Sequence, residues 1–95
     1  MAKVRITVKL SNKLGLSDRA ASLFVQAARK FKSHIDVKRD ENKADAKNLY
    51  GVLSLRAECG HIITITAEGP DAEEAIDELV SLVKNRFGEM EKFRI

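Results

Sequence analysis

Side chains able to do chemistry are few in this chain, and most stand alone. Ser17, Asp18 and Arg19 follow one another where the pattern changes from loop to helix, which sets a hydroxyl, a carboxylate and a guanidinium side by side. A serine hydroxyl attacks only with an activating base, and a neighbouring carboxylate is one way to supply it. Asp18 has a plainer reading too: in the first turn of a helix it favours the dipole by roughly 0.3–1 kcal/mol. Cys59-Gly60-His61 has no companion ligands at metal spacing, so no zinc site is expected, and Cys59 reads as a loop residue or a small hydrophobe. Glu73-Glu74 and Asp77-Glu78 read as the solvated face of a helix, not a catalytic carboxylate pair. No glycine-rich loop of the phosphate-cradling kind precedes a helix. Neither a catalytic centre nor a cofactor is expected.

Periodicity gives the elements that hold these residues. Val4, Ile6, Val8 and Leu10 alternate with polar residues, which predicts a strand with one buried face. From Ser17 the spacing becomes helical: Ala20, Leu23, Phe24, Ala27, Ala28 and Phe31 form one apolar stripe. Ile35 and Val37 mark a second strand, Asp40-Glu41-Asn42 a turn, and Lys43 to Ala46 a weaker returning strand. Asn48 suits the N-cap of a short helix carrying Leu49, Val52 and Leu53. His61 to Glu68 is rich in β-branched residues and predicts a strong strand. Asp71 and Glu74 have capping-box spacing before a long helix that turns Ala75, Ile76, Leu79, Val80, Val83 and Phe87 inward and ends at Gly88. The order β-α-β-β-α-β-α, with a four-stranded, mostly antiparallel sheet and three helices on one face, is an open-faced α+β sandwich. Residues 1–88 form the domain; residues 89–95 are a tail packed on it or extending from it, with Met90, Phe93 and Ile95 able to fold back.

At 95 residues, with a hydrophobic content of 44%, the chain fits one small core. No apolar run is long enough to span a bilayer, and the first residues lead into a strand instead of a leader, so a cytoplasmic setting is expected. The single cysteine forms no internal disulfide, in keeping with a reducing compartment. A net charge of +3, spread along the chain, makes no basic footprint, and nucleic acid is not expected as a partner.

Gly15-Leu16-Ser17-Asp18-Arg19-Ala20-Ala21 resembles the phosphoryl-transfer motif Gly-[Ile/Leu]-His-Ala-Arg-Pro-Ala of HPr, the histidine phosphocarrier of the sugar phosphotransferase system. Lys47-Asn48-Leu49-Tyr50-Gly51-Val52-Leu53-Ser54-Leu55 is similar to that family's second signature. The resemblance covers nearly the whole chain up to Gly88 and implies the HPr-like fold.

It also implies positions. The family's phosphoacceptor His falls on Ser17, and the small residue after it on Asp18. The arginine that assists the phosphoryl group falls on Arg19, and the proline at the helix start on Ala20. Imidazole is nucleophilic near neutral pH, and phosphohistidine passes its group on; a serine hydroxyl lacks both properties. Arg19 is either that assisting group or simply paired with Asp18 or solvated. His34 and His61 lie far from this loop in the family's topology and are not substitutes. The serine that an ATP-dependent kinase modifies in some branches falls on Asn48, which keeps the cap but offers no hydroxyl. Partner docking in the family maps to the Ser17–Arg19 start together with Ser22, Leu49, Tyr50 and Leu53. Tyr50 is read either as an exposed anchor or as a ring half-buried on the first helix. The expectation is a non-phosphorylatable, protein-binding regulator whose partners are phosphotransferase enzymes or a carbon-regulation protein. The rivals are a phosphoacceptor using Ser17 and a domain recruited as an adaptor in an unrelated complex.

Overall fold

The alternating segment at the start forms β1 (Ala2–Lys9), which turns Val4, Ile6 and Val8 toward the core and leaves Lys3, Arg5, Thr7 and Lys9 exposed. The computed structural model describes residues 2–89. After β1 come α1 (Asp18–Arg29), β2 (His34–Arg39), β3 (Asn42–Asp45), α2 (Leu49–Ser54), β4 (Ile62–Gly69), α3 (Ala72–Lys84) and a 3-10 turn at Arg86–Gly88. This is the expected order, with most ends displaced by one or two residues; α3, expected to run to Gly88, stops at Lys84, and Phe87 is buried from a separate left-handed turn that breaks the helix. The strands lie in the order β1-β4-β2-β3 and every pair is antiparallel, where the sequence implies mostly antiparallel pairing. Met90, Phe93 and Ile95, expected to fold back on the body, lie outside the described residues.

Parity decides which face is covered. Ile63, Ile65 and Ala67 of β4 and Ile35 and Val37 of β2 point to the helices and are buried. Thr64, Thr66 and Glu68 alternate with them on the open face. Against the buried face α1 lays Ala20, Ala21, Phe24, Ala27 and Ala28, while α3 lays Ala75, Ile76, Leu79 and Val83. Phe24 is fully buried, a gain of about 1.5–3 kcal/mol over leaving the ring in water.

One expected cap does something else. Asp71 stands at the N-cap of α3, but its carboxylate makes no bond to that helix. It accepts instead from the Ser33 hydroxyl (2.6 Å) and from the Ser33 and Lys32 backbone N–H groups (2.9 Å each), clipping the α1–β2 turn to the start of α3. Local spacing suggests a capping box, yet the carboxylate finds more donors on the neighbouring turn than on its own helix.

The Ser33 hydroxyl first, then the Lys32 N–H, hold the Asp71 pKa down at about 2. A carboxyl held below its unfolded value, about 3.9, stabilises the fold above that value and loses the contribution as pH falls toward 2. Melting temperature followed from pH 5 to pH 2 should therefore drop less steeply in Asp71→Asn than in the parent. Parallel acid limbs would show that the clip carries no such linkage.

Candidate functional site

The loop between β1 and α1 is held by backbone bonds to the α2–β4 loop. Leu16 N–H donates to Ala57 O (2.9 Å), Leu10 N–H to His61 O (2.9 Å) and Gly60 N–H to Leu10 O (2.8 Å). Gly15 makes the close approach possible: its φ is +60°, and a Cβ there would lie 2.5 Å from Ala57 O and 2.6 Å from Glu58 Cα. The loop delivers Ser17 as N-cap of α1, half-buried, with its hydroxyl making no cap bond while Ala21 N–H donates to Ser17 O (2.7 Å). Asp18 follows in the first turn, exposed.

Arg19 is neither solvated alone nor paired with Asp18. Its Nη1 donates to Phe87 O at 2.8 Å, so the guanidinium is held against the turn that ends the described chain. That turn is unusual: Arg86, Phe87 and Gly88 all have left-handed φ, at 55°, 53° and 74°. Two non-glycine residues there cost on the order of 1–3 kcal/mol each, and burial of the Phe87 ring offsets part of it. The turn also brings Glu89 to the loop, where its Oε2 accepts from Asn12 Nδ2 (2.9 Å); the same Nδ2 donates to Gly15 O (2.7 Å). Asn12 is buried, and its Oδ1 has no partner among the described residues. Asp18 thus adjoins Ser17, Glu89 is tied through Asn12 to the loop before it, and the cation of the triplet is already engaged.

Neither histidine stands at the start of α1. His34 sits on the open sheet face with Nε2 3.0 Å from Asp36 Oδ1. His61 is nearer than the family's topology implies, since its segment is bonded to Leu10 and neighbours Gly15 through Glu58. Its Nδ1 accepts the Glu58 N–H at 2.8 Å, which occupies that nitrogen's lone pair.

A second surface lies between α1 and α2. Asn48 caps α2 as expected, its side chain accepting from Gly51 N–H at 3.1 Å. Tyr50 is 83% exposed, which settles the two readings of its ring in favour of exposure. Ser22, Gln26 and Arg29 face Lys47, Leu49 and Tyr50 across an open groove of about 560 Å³. Ser22 accepts from Gln26 Nε2 (3.1 Å), and Arg29 Nε donates to Lys47 O (2.9 Å). The structure therefore brings Ser22, Asn48, Leu49 and Tyr50 together. Ser17, Asp18, Arg19 and half-buried Leu53 do not line this groove.

Gln26, Arg29 and Leu14 belong to these surfaces without standing out in the sequence. Ser22, Gln26 and Arg29 recur at helical spacing on the polar side of α1, a signal that was available. Leu14, 61% exposed at the head of the loop, has no periodic neighbours and gives none.

A family model described as "PTS HPr component phosphorylation site" matches residues 4–85. The phosphocarrier protein HPr of Cupriavidus necator is 44% identical over 80 residues, covering 84% of this chain and 90% of that protein. The HPr-like protein Crh of Bacillus subtilis is 37% identical over 84 residues, covering 88% and 96%. Among solved structures, HPr-C-His from Thermoanaerobacter tengcongensis superposes with a TM-score of 0.90 at 44% identity, over 93% of this chain and 99% of that one. Among the described residues no helix is long and apolar enough to cross a membrane.

Proposed function

The chain belongs to the HPr family of the sugar phosphotransferase system, and from that premise we propose that it is a protein-binding, regulatory member that does not carry phosphate. The observation that carries this reading is Ser17-Asp18 at the start of α1, where the family motif has His followed by a small residue. A carboxylate about 6 Å from a dianionic phosphoryl group costs of order 1–5 kcal/mol for effective dielectrics between about 80 and 20. Arg19 supports the same reading, because its guanidinium is committed to Phe87 O. Asn48, with an amide in place of a hydroxyl, leaves the second modification position without an acceptor. That the relatives include a protein named HPr-like beside phosphocarriers is compatible with a regulatory role.

The partners in this reading are phosphotransferase enzymes or a carbon-regulation protein, docked on the α1 start and on the Tyr50 groove. Incubation with phosphoenolpyruvate and enzyme I should leave the intact mass unchanged, as should the HPr kinase with ATP. A gain of one acid-labile phosphoryl group would overturn the proposal. An acid-stable one on Ser17 would make the protein a serine phosphoacceptor.

Tyr50→Glu should weaken binding to the partner by roughly thirty-fold, the size expected for loss of an aromatic anchor. Its melting temperature should stay within a few degrees of the parent, because surface changes usually alter stability by less than about 0.5 kcal/mol. Isothermal titration and a thermal melt read both. Unchanged affinity would remove Tyr50 from the docking surface.

A further inference from the structure

β1 is an edge strand of eight residues, and its outer side is unpaired among the described residues. In an antiparallel ladder half of a strand's N–H and C=O groups point to one neighbour and half to the other, so half of those of β1 have no backbone partner among the described residues. Its side chains are sorted by parity. On the open face of the sheet stand Lys3, Arg5, Thr7 and Lys9, all exposed. None of the three cations has a side-chain hydrogen bond or an ion pair among the described residues, and Glu68, opposite Lys3 in register, makes no ion pair with it. On the helix side stand Val4, Ile6 and Val8, each only partly buried although every core-facing residue of β4 is fully covered.

We propose that this edge receives an extended segment of a partner protein in which acidic and apolar residues alternate, added as a fifth strand beside β1. Each feature of the edge has its complement in such a segment. Free backbone groups pair with the incoming strand, as in other peptide recognition by strand addition. Carboxylates at alternate positions come to lie opposite Lys3, Arg5 and Lys9, because residues directly across a ladder sit about 5 Å apart. Apolar residues at the intervening positions cover the half-exposed row of Val4, Ile6 and Val8. At about 3.3 Å per residue, a segment of six to eight residues spans the strand.

The charges also select against other occupants. An antiparallel pair of two β1 strands centred on Ile6 sets Lys3 opposite Lys9 at both ends, and like charges directly opposite are unfavourable. Cations on an edge strand guard against self-pairing of this kind. A single-stranded nucleic acid would meet the cations, but among the described residues no Phe, Tyr or Trp stands on this face, and His34 alone makes no continuous stacking platform.

The test uses the whole chain, labelled with 15N, and three eight-residue peptides flanked by glycines. One alternates Glu and Val, one alternates Lys and Val, and one has the same Glu and Val residues grouped in blocks. The Glu-Val peptide should shift amide resonances of residues 2–9, with affinity falling at least tenfold between 50 and 300 mM salt. The other two should bind at least tenfold more weakly. Lys3→Glu/Arg5→Glu/Lys9→Glu, all at exposed positions, should reverse the preference toward the Lys-Val peptide. Equal binding of the blocked peptide, shifts confined to α1 and α2, absence of binding at millimolar peptide, or a peptide-free dimer in sedimentation would each overturn the assignment.

Discussion

Gly15→Ala should cost about 2–5 kcal/mol of stability, far more than one added methyl group costs at a surface loop. Two separate effects meet at this position. The backbone has φ +60°, a conformation that disfavours any side chain by roughly 1–3 kcal/mol. A Cβ there would also lie 2.5 Å from Ala57 O, 2.6 Å from Glu58 Cα and 2.9 Å from Glu58 C. All three are backbone atoms, so no side chain can swing aside to make room. The α2–β4 loop must move away, which weakens the bond from Leu16 N–H to Ala57 O that fixes the approach to Ser17. Gly60→Ala is the control: φ is +93° there, but nothing lies within 4 Å of the added Cβ, so about 1 kcal/mol of conformational cost is all that is expected. Urea unfolding of the two variants measures the difference. If Gly15→Ala lost no more than Gly60→Ala, the two loops would be free to separate, and Gly15 would not position Ser17.

Most of the scaffold was legible because burial on one face leaves a periodic trace. The alternation in β4 and the stripes of α1 and α3 read directly into buried rows, and the alternation in β1 into a half-buried one. The motif around Gly15 and the cap at Asn48 were legible for another reason: each depends on a conformational need that few residue types meet. What stayed hidden depends on contacts between distant segments. Nothing near Asp71 in sequence announces that Ser33, 38 positions away, will compete for its carboxylate. Arg19 likewise finds its acceptor 68 positions on, at a backbone carbonyl, a group carried by every residue and therefore silent in the sequence. The left-handed turn at Arg86 and Phe87 is held by tertiary packing, since neither residue type favours it. The place of Ser17 and Asp18 at the start of α1 was thus legible, and the engagement of Arg19 was not.

Rebuilding a carrier from this chain should need more than a histidine. Ser17→His alone should take up phosphoryl from enzyme I slowly or in part, because Asp18 still opposes the dianion at the start of α1. Adding Asp18→Ala removes a repulsion of about 1–5 kcal/mol, which corresponds to a gain between several-fold and a few thousand-fold. The lower end is expected in the exposed geometry seen for Asp18, where water screens the charge. Ala20→Pro in the triple variant should add little: it presets the backbone at a helix start that already forms, and Ala20 is fully buried, so the ring must also find room. Arg19 sets the remaining limit. Held on Phe87 O, it must leave that carbonyl to reach a phosphoryl group on residue 17, while Glu89 keeps a second carboxylate on the same loop. The double variant should therefore respond further to Glu89→Gln, which removes a charge without breaking the fold. The measurement is the initial rate of phosphoryl uptake for each variant at equal enzyme I. Equal rates for Ser17→His and the double variant would reduce Asp18 to a helix-stabilising residue. If every variant stayed inert with its melt preserved, the surface that enzyme I recognises would be missing, and the domain would answer to a partner outside the phosphotransferase system.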